Sequence, residues 1–547
     1  MDRNRIFSAR EVEDRIARGQ TIVIADNRVL RLDGWLQRHP GGRLAVKHMI
    51  GRDATDEINI YHSEKTLGTM DKYRIGRVEG PWISMTPPIR GGIFLTMADD
   101  STSSEEDDSH ASDTSETTVE DIMETQEAIK VDIRKRAAAR KAEIQARNFE
   151  DHHLTPEEYT AKMVQKELDD DHREYPSLDP ETQRNIASKY KELHQKIKDA
   201  GLYNCPYIEY GKELVRYATL FGLFVLAFRA QWYITSAIFL GLFWHQIMFT
   251  AHDGGHLAIT HNFVIDTLIA MFIADFCCGL SIGWWKSSHN VHHLVPNHPE
   301  HDPDIQNIPF FATSPSFFKS LRSTYYDFVY VWDEAANIVG QYQHISYYPI
   351  MGIARFNLYL LSWLHLLSPR SASFGAVAWT KPTELVFMSC YWYLFGYCLV
   401  WCSIPTWTMR ILFVLISHII TMGLHVQITL SHFAMSTSDV SVAECFAQRQ
   451  LRTTMDVDCP AWLDWVHGGL QFQAIHHLFP RVPRHNLRKI QEWVKEFSAD
   501  VGIDYKIYGF ADGNRKVIGR LGEVSKQVEM LVECQKYMAA TGESGLH

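Results

Sequence analysis

Three histidine clusters, each beside a long apolar stretch, constrain this chain more than any other feature. They read His252-x-x-x-His256, His289-x-x-His292-His293 and Gln473-x-x-His476-His477. A His-x-x-x-His spacing sets both imidazoles on one helix face. Neutral imidazole is the commonest protein metal ligand, and a site so rich in nitrogen suits iron, zinc, copper or nickel. One cluster would say little. Three, all assignable to the same side of a membrane, imply a metal-dependent membrane enzyme.

The apolar runs 214–230, 232–250, 384–402 and 409–430 each come close to the ~20 residues needed to cross hydrocarbon. The first two form a hairpin with only Arg229 at its outer turn, and the last two another with only Arg410 near its outer end. Lys and Arg concentrate before, between and after the hairpins, which places those segments in the cytosol. The stretch 263–283 is long enough to cross, but a crossing would put the first and second clusters on opposite faces. Asp266 and Asp275 also argue against lipid exposure. This stretch is therefore read as interfacial or re-entrant, and so is 346–367. Four spans result, with both ends cytosolic, and the even number between the second and third clusters returns the chain to one face. His432, just past the fourth span in LSHFAM, is a further candidate ligand. Asp302 and Asp304 are candidates to orient ligand histidines, because ring N–H groups usually donate to carboxylates. His245, His261, His418, His425 and His485 are read as packing, capping or interface residues, and His298 and His301 as loop or supporting residues.

At 547 residues the chain should hold more than one domain. Residues 1–85 form a small soluble domain, with a helical stretch at Glu11–Ala17 and a strand-like run, TIVIADNRVLRL. The net charge of −11 is local: ten acidic residues and no Lys or Arg lie between Asp99 and Asp121. The segment 98–121 is accordingly expected to be a disordered linker, reaching roughly 28 Å on average. A charged helical connector follows at 122–205, then the membrane domain at 206–500 and a tail at 501–547. No nucleic-acid partner is implied. Nine cysteines without paired spacing indicate a reducing compartment and no disulfide framework, and no cleavable signal peptide is visible.

His39-Pro40-Gly41-Gly42, its Asp33-Gly34-Trp35 approach and His62 within GRDATDEINIYHS resemble cytochrome b5 over most of residues 7–80. The resemblance implies haem b held by His39 and His62. Two imidazoles leave no open position, so electron transfer rather than oxygen chemistry is expected there. His48, between them, is expected on an exposed helix face.

The three histidine boxes resemble the membrane fatty-acyl desaturase and hydroxylase superfamily over roughly 205–500. That resemblance implies two irons, O2 as co-substrate, and His252, His256, His289, His292, His293, His432, Gln473, His476 and His477 as ligands. Gln473 in place of the usual histidine, with a fused haem domain, looks like the front-end desaturases. The run RTTMDVDCPAWLDWVHGGLQFQ (452–473) looks most like the fungal sphingolipid delta-8 desaturases. These act on the long-chain base of a ceramide.

The implied fold is an α+β cytochrome b5-like domain followed by an all-α membrane domain with four transmembrane helices and a cytosolic histidine-rich cap. The implied setting is the endoplasmic reticulum membrane, with electrons from NAD(P)H passing through cytochrome b5 reductase. The linker is expected to let the haem domain visit the metal site repeatedly. Trp284, Trp285, Trp462 and Trp465 serve equally as interfacial anchors or packing aromatics. A front-end fatty-acyl desaturase is the alternative, and a lipid hydroxylase a more distant one.

Overall fold

The computed structural model describes residues 3–97, 154–371 and 377–541. The expected acidic linker, and residues 122–153 of the expected connector, lie outside them. In the first segment, α1 (Ala9–Ala17) starts at a capping box in which Ser8 and Glu11 satisfy each other's backbone. The strand-like run splits into β1 (Ile22–Ala25) and β2 (Arg28–Arg31), because Asp26 and Asn27 both take positive φ and close a two-residue hairpin. Three short helices follow: α2 (Arg43–Lys47), α3 (Thr55–Tyr61) and α4 (Glu64–Met70). Then β3 (Arg74–Arg77) pairs antiparallel with β2. Val12, Ile16, Ile22, Ile24 and Val29 close a small core of their own.

Helices α5 (Pro156–Glu174) and α6 (Pro180–Asp199) start at Thr155 and Asp179 caps, each followed by proline at the first helical position. They lead to the apolar bundle. Helix α7 (Tyr207–Arg229) turns at Gln231 into α8 (Tyr233–Gly255). Next, α9 (Phe263–Met271) continues through a π-helical turn at Phe272–Cys277 and bends 116° into α10 (Ile282–Leu294). After α11 (Glu334–Gln341) come α12 (Gln343–Leu367) and α13 (Thr380–Tyr391), the latter prolonged as a π-helix to Cys402. Helices α14 (Trp407–Ile419) and α15 (Met422–Leu430) complete the bundle.

Among the described residues, four helical segments are long and apolar enough to cross a membrane: 233–255, 343–367, 380–402 and 407–430. One differs from expectation. Helix α7, which holds the expected span 214–230, is too charged to stand among them, carrying Glu209, Lys212, Glu213 and Arg216 in its first half. Helix α12, expected at the interface, is long and apolar enough to stand among them. The second and third histidine clusters meet in the structure, so an even number of crossings separates them, and the three apolar segments that lie between them, 343–367, 380–402 and 407–430, do not all cross. Asp266 and Asp275, the acids that argued against a simple span, are both fully buried. Asp266 accepts from the backbone of Thr260 (2.9 Å) and His261 (3.1 Å).

Past the bundle, α16 (Phe446–Thr453), β4 (Asp456–Asp458), α17 (Gln473–Leu478) and α18 (Leu487–Val501) build the cap. A parallel partner strand, β5 (Ile507–Gly509), pairs with β4. Residues 501–547, expected as a tail, instead contain α19 (Phe510–Thr541). Its stripe of Val517, Leu521, Val524, Val528 and Leu531 recurs at four and three residues and is buried against Tyr347, Met351 and Met455.

Candidate metal centre and haem site

His39 follows a 3-10 turn and precedes α2, while His62 ends α3. Each uses Nδ1 locally: His39 donates to the Gly42 carbonyl (3.1 Å) and His62 to the Ile58 carbonyl (2.9 Å). That fixes the tautomer and leaves each Nε2 as the free acceptor. The two ring centroids are 6.0 Å apart, room for one iron at about 2 Å from a nitrogen of each. Burial pushes the His62 imidazole down to about 4 and lowers that of His39 as well. Both rings are therefore neutral at pH 7, the state a metal needs. The pair fits a haem.

The histidine boxes reach one point from four elements. His252 and His256 end α8, His289, His292 and His293 line α10, His432 follows α15, and His476 and His477 ride on α17. Ligand nitrogens of His252, His256, His289 and His476 lie within 4.8 Å of one another, and so do those of His292, His432 and His477. His293 stands between the groups: its Nε2 is 2.9 Å from His289 Nε2, and its ring stacks on His477 at 4.1 Å. Gln473 is buried in the first turn of α17, on the same helix as His476 and His477.

The donor set fits metal ions. Nε2 of His252, His256, His476 and His477, Nδ1 of His293 and both nitrogens of His432 are buried with no hydrogen-bond partner. A fold does not normally leave so many polar atoms orphaned, because each costs about 1–3 kcal/mol. Burial and the neighbouring imidazoles hold His432, His476 and His477 far below the usual histidine range, so these rings are neutral.

A supporting layer fixes the rings. His292 Nδ1 donates to Asp302 Oδ2 (2.8 Å), which also accepts from the Asn297 backbone (2.7 Å). Asp302 Oδ1 accepts from the Asp304 backbone (2.9 Å), and Asp304 accepts from Ser288 (3.0 Å). His477 Nδ1 donates to Gln450 Oε1 (2.9 Å), and Gln450 Nε2 donates to the His293 carbonyl (2.8 Å). Trp285 stacks on His289 at 4.3 Å and is a packing aromatic, whereas Trp462 is 71% exposed. Asn297, at φ 57°, donates to the carbonyls of His432 (2.8 Å) and Thr453 (3.2 Å). Gln450 and Asn297 carried no spacing signal in the sequence.

The remaining histidines have other occupations. The ring nitrogens of His261 face the carbonyls of Leu257 and Tyr203, both at 2.8 Å, His418 bonds Val414 and Tyr359, and His485 meets Glu213 at 3.1 Å. His48 departs from expectation, being fully buried with its ring 5.2 Å from that of His301. The reason is that the haem domain sits on the membrane domain: Val23, Ala45, Met49 and Ala54 share a core with Leu294 of α10. The expected roaming haem domain is thus docked.

A family model described as fatty acid desaturase matches residues 230–509, and one described as cytochrome b5-like heme/steroid binding domain matches residues 8–79. The chain is similar to a protein of Emericella nidulans named delta 8-(E)-sphingolipid desaturase, 49% identical over 98% of this chain and 97% of that one. Proteins of the same name from Kluyveromyces lactis and Komagataella phaffii are each 47% identical, over 98% and 97% of this chain and 95% of their own.

Proposed function

We propose that this chain, which belongs to the fatty acid desaturase family and carries a cytochrome b5-like domain ahead of it, introduces an (E) double bond at the 8-position of the long-chain base of a ceramide-type sphingolipid. The chemistry rests on one observation: eight imidazoles, six of them with orphaned nitrogens, converge beside a haem-type histidine pair. The substrate rests on relatives that bear that activity in their names and align over nearly the whole of both chains.

His252, His256, His289 and His476 are assigned to one iron, and His292, His432 and His477 to the other, with His293 between them and Gln473 completing the set from α17. Bound there, two irons supply with O2 the oxidising power to take hydrogen from an unactivated pair of methylenes. The chain's residues do the positioning. Asp302 and Gln450 lock the rings of His292 and His477 in the tautomer that leaves Nε2 free. Helix α10 places these rings beside the membrane bundle, so the lipid chain reaches them from the bilayer while its head stays at the interface. His39 and His62 are assigned to haem b. A complete reaction consumes two electrons, two protons and one O2 and releases two waters for each double bond. The electrons are assigned to NAD(P)H through a cytochrome b5 reductase, in keeping with a haem that has no open position. Both termini are assigned to the cytosol, in keeping with the distribution of Lys and Arg, and the membrane to the endoplasmic reticulum.

The test is lipid mass spectrometry on a yeast host expressing the chain, with long-chain bases and fatty acids analysed separately. The expected product is a long-chain base unsaturated at position 8. A new double bond confined to fatty acids would refute the substrate and move the activity to acyl chains. No change in either, in protein that binds haem and iron, would refute the reaction.

A further inference from the structure

The helix that carries the second haem imidazole is wedged into the scaffold of the histidine cluster. Helix α3 places Ile60, 1% exposed, in the core built by Ile475 and Leu478 of α17 together with Phe479. Tyr61 packs against that same core and against the core containing Leu294, the last residue of α10. Its ring stands edge-on to His293, with centroids 6.2 Å apart and planes at 87°. His62 follows directly in the chain. A single residue therefore touches the histidine cluster and is covalently joined to the haem-binding imidazole.

Two further contacts clamp this arrangement. Glu57 of α3 is buried 3.6 Å from Arg449, which also donates to the carbonyls of Leu294 (3.0 Å) and Glu444 (3.3 Å). The neighbour of Arg449 is Gln450, the residue that holds His293 and His477. On the other haem loop, Asn290 of α10 donates to the Gly41 carbonyl (3.2 Å). Both haem-binding loops are thus tied to the helix that bears the second histidine box. An apolar core with a buried ion pair is a fixed dock rather than a passing encounter.

We infer that Tyr61 is the bridge for electrons entering the metal site, a reading that rests on the desaturase assignment above. Each transfer takes one electron from ferrous haem, leaving it ferric, and delivers it to a metal held around His293. The Tyr61 ring fills the contact and is itself neither oxidised nor reduced. A flavin-containing, NAD(P)H-dependent reductase refills the haem between the two transfers, and the domain does not undock.

The experiment compares Tyr61→Phe, which keeps the ring, with Tyr61→Leu, which keeps apolar bulk without it, in full-length protein loaded with haem and iron. Stopped-flow absorbance follows reoxidation of pre-reduced haem on mixing with O2 and lipid substrate. Tyr61→Leu is expected to slow reoxidation roughly tenfold, a barrier increase of about 1.4 kcal/mol. Its haem spectrum and its rate of reduction by the reductase should stay unchanged, and Tyr61→Phe should reoxidise at the wild-type rate. Wild-type rates in both variants, or equal slowing in both, would overturn the bridge. If Tyr61→Leu fails to hold haem, the unmodified chain decides. Loading iron into the histidine cluster must then speed spin relaxation of the ferric haem, and unchanged relaxation overturns the dock. A wild-type chain that makes no unsaturated product would instead fail the desaturase reading.

Discussion

Replacing Asp302 by asparagine should weaken metal binding while leaving the fold intact. The Asp302 carboxylate is fully buried and takes three donors: His292 Nδ1, the Asn297 backbone and the Asp304 backbone. Asparagine has the same shape but no charge, and in either orientation its NH2 faces at least one of those N–H groups. Losing one charge-assisted bond is worth roughly 1.5–3 kcal/mol, or about ten- to hundredfold in affinity. That agrees with the 10- to 100-fold range known for residues that orient metal-binding histidines. The assay is competition for iron against a chelator of known affinity, with haem absorbance as the internal control. Iron affinity equal to wild type, with His292 still required for activity, would refute the claim that Asp302 orients that ring.

Other outcomes follow from the same geometry. His62→Ala should abolish the bis-imidazole haem spectrum and product formation while bound iron stays at the wild-type level; loss of iron as well would mean the dock had collapsed. Gly255→Ala places a Cβ 2.2 Å from the Trp285 ring, so calorimetry or a thermal scan should register an overpacking cost of about 1–3 kcal/mol. Acid should act through His62, whose folded value of about 4 lies below the ordinary 6.5. The stabilisation by the neutral ring is complete above about pH 6.5 and is lost as pH falls towards about 4, amounting to about 3 kcal/mol. An unfolding midpoint of the haem-free protein that stays flat across that window would contradict this.

What the sequence disclosed was chiefly what is local or periodic. The His252/His256 spacing and the HPGG loop each depend on residues close in the chain. Asp266 and Asp275 told against a simple span because an acid in hydrocarbon needs partners, and both are buried. The hairpin at Asp26-Asn27 was legible in principle, since adjacent residues tolerant of positive φ mark a two-residue turn. It was hidden by the unbroken strand-like run around it. The stripe on α19 was masked by the charged residues between its apolar positions. Helix α16 gave no warning because all eight of its residues are buried, so its polar side chains look like a solvated face while every one of them is enclosed. The docking of α3 was beyond reach: nothing near Ile60 refers to Leu478, hundreds of residues away.

That distance sets an order of assembly. The haem domain has its own core of Phe7, Val12, Ile16 and their neighbours, and can close as soon as it leaves the ribosome. The socket for Ile60 is not complete until Ile490, Val494 and Val501 of α18 have been made. At about 5–20 residues per second, synthesis leaves a gap of roughly 20–90 s between the two events. During that interval the membrane hairpins insert while the newborn domain waits with an apolar face uncovered. A chain cut short before α18 would therefore forfeit the seat of its first domain as well as its own C-terminal end.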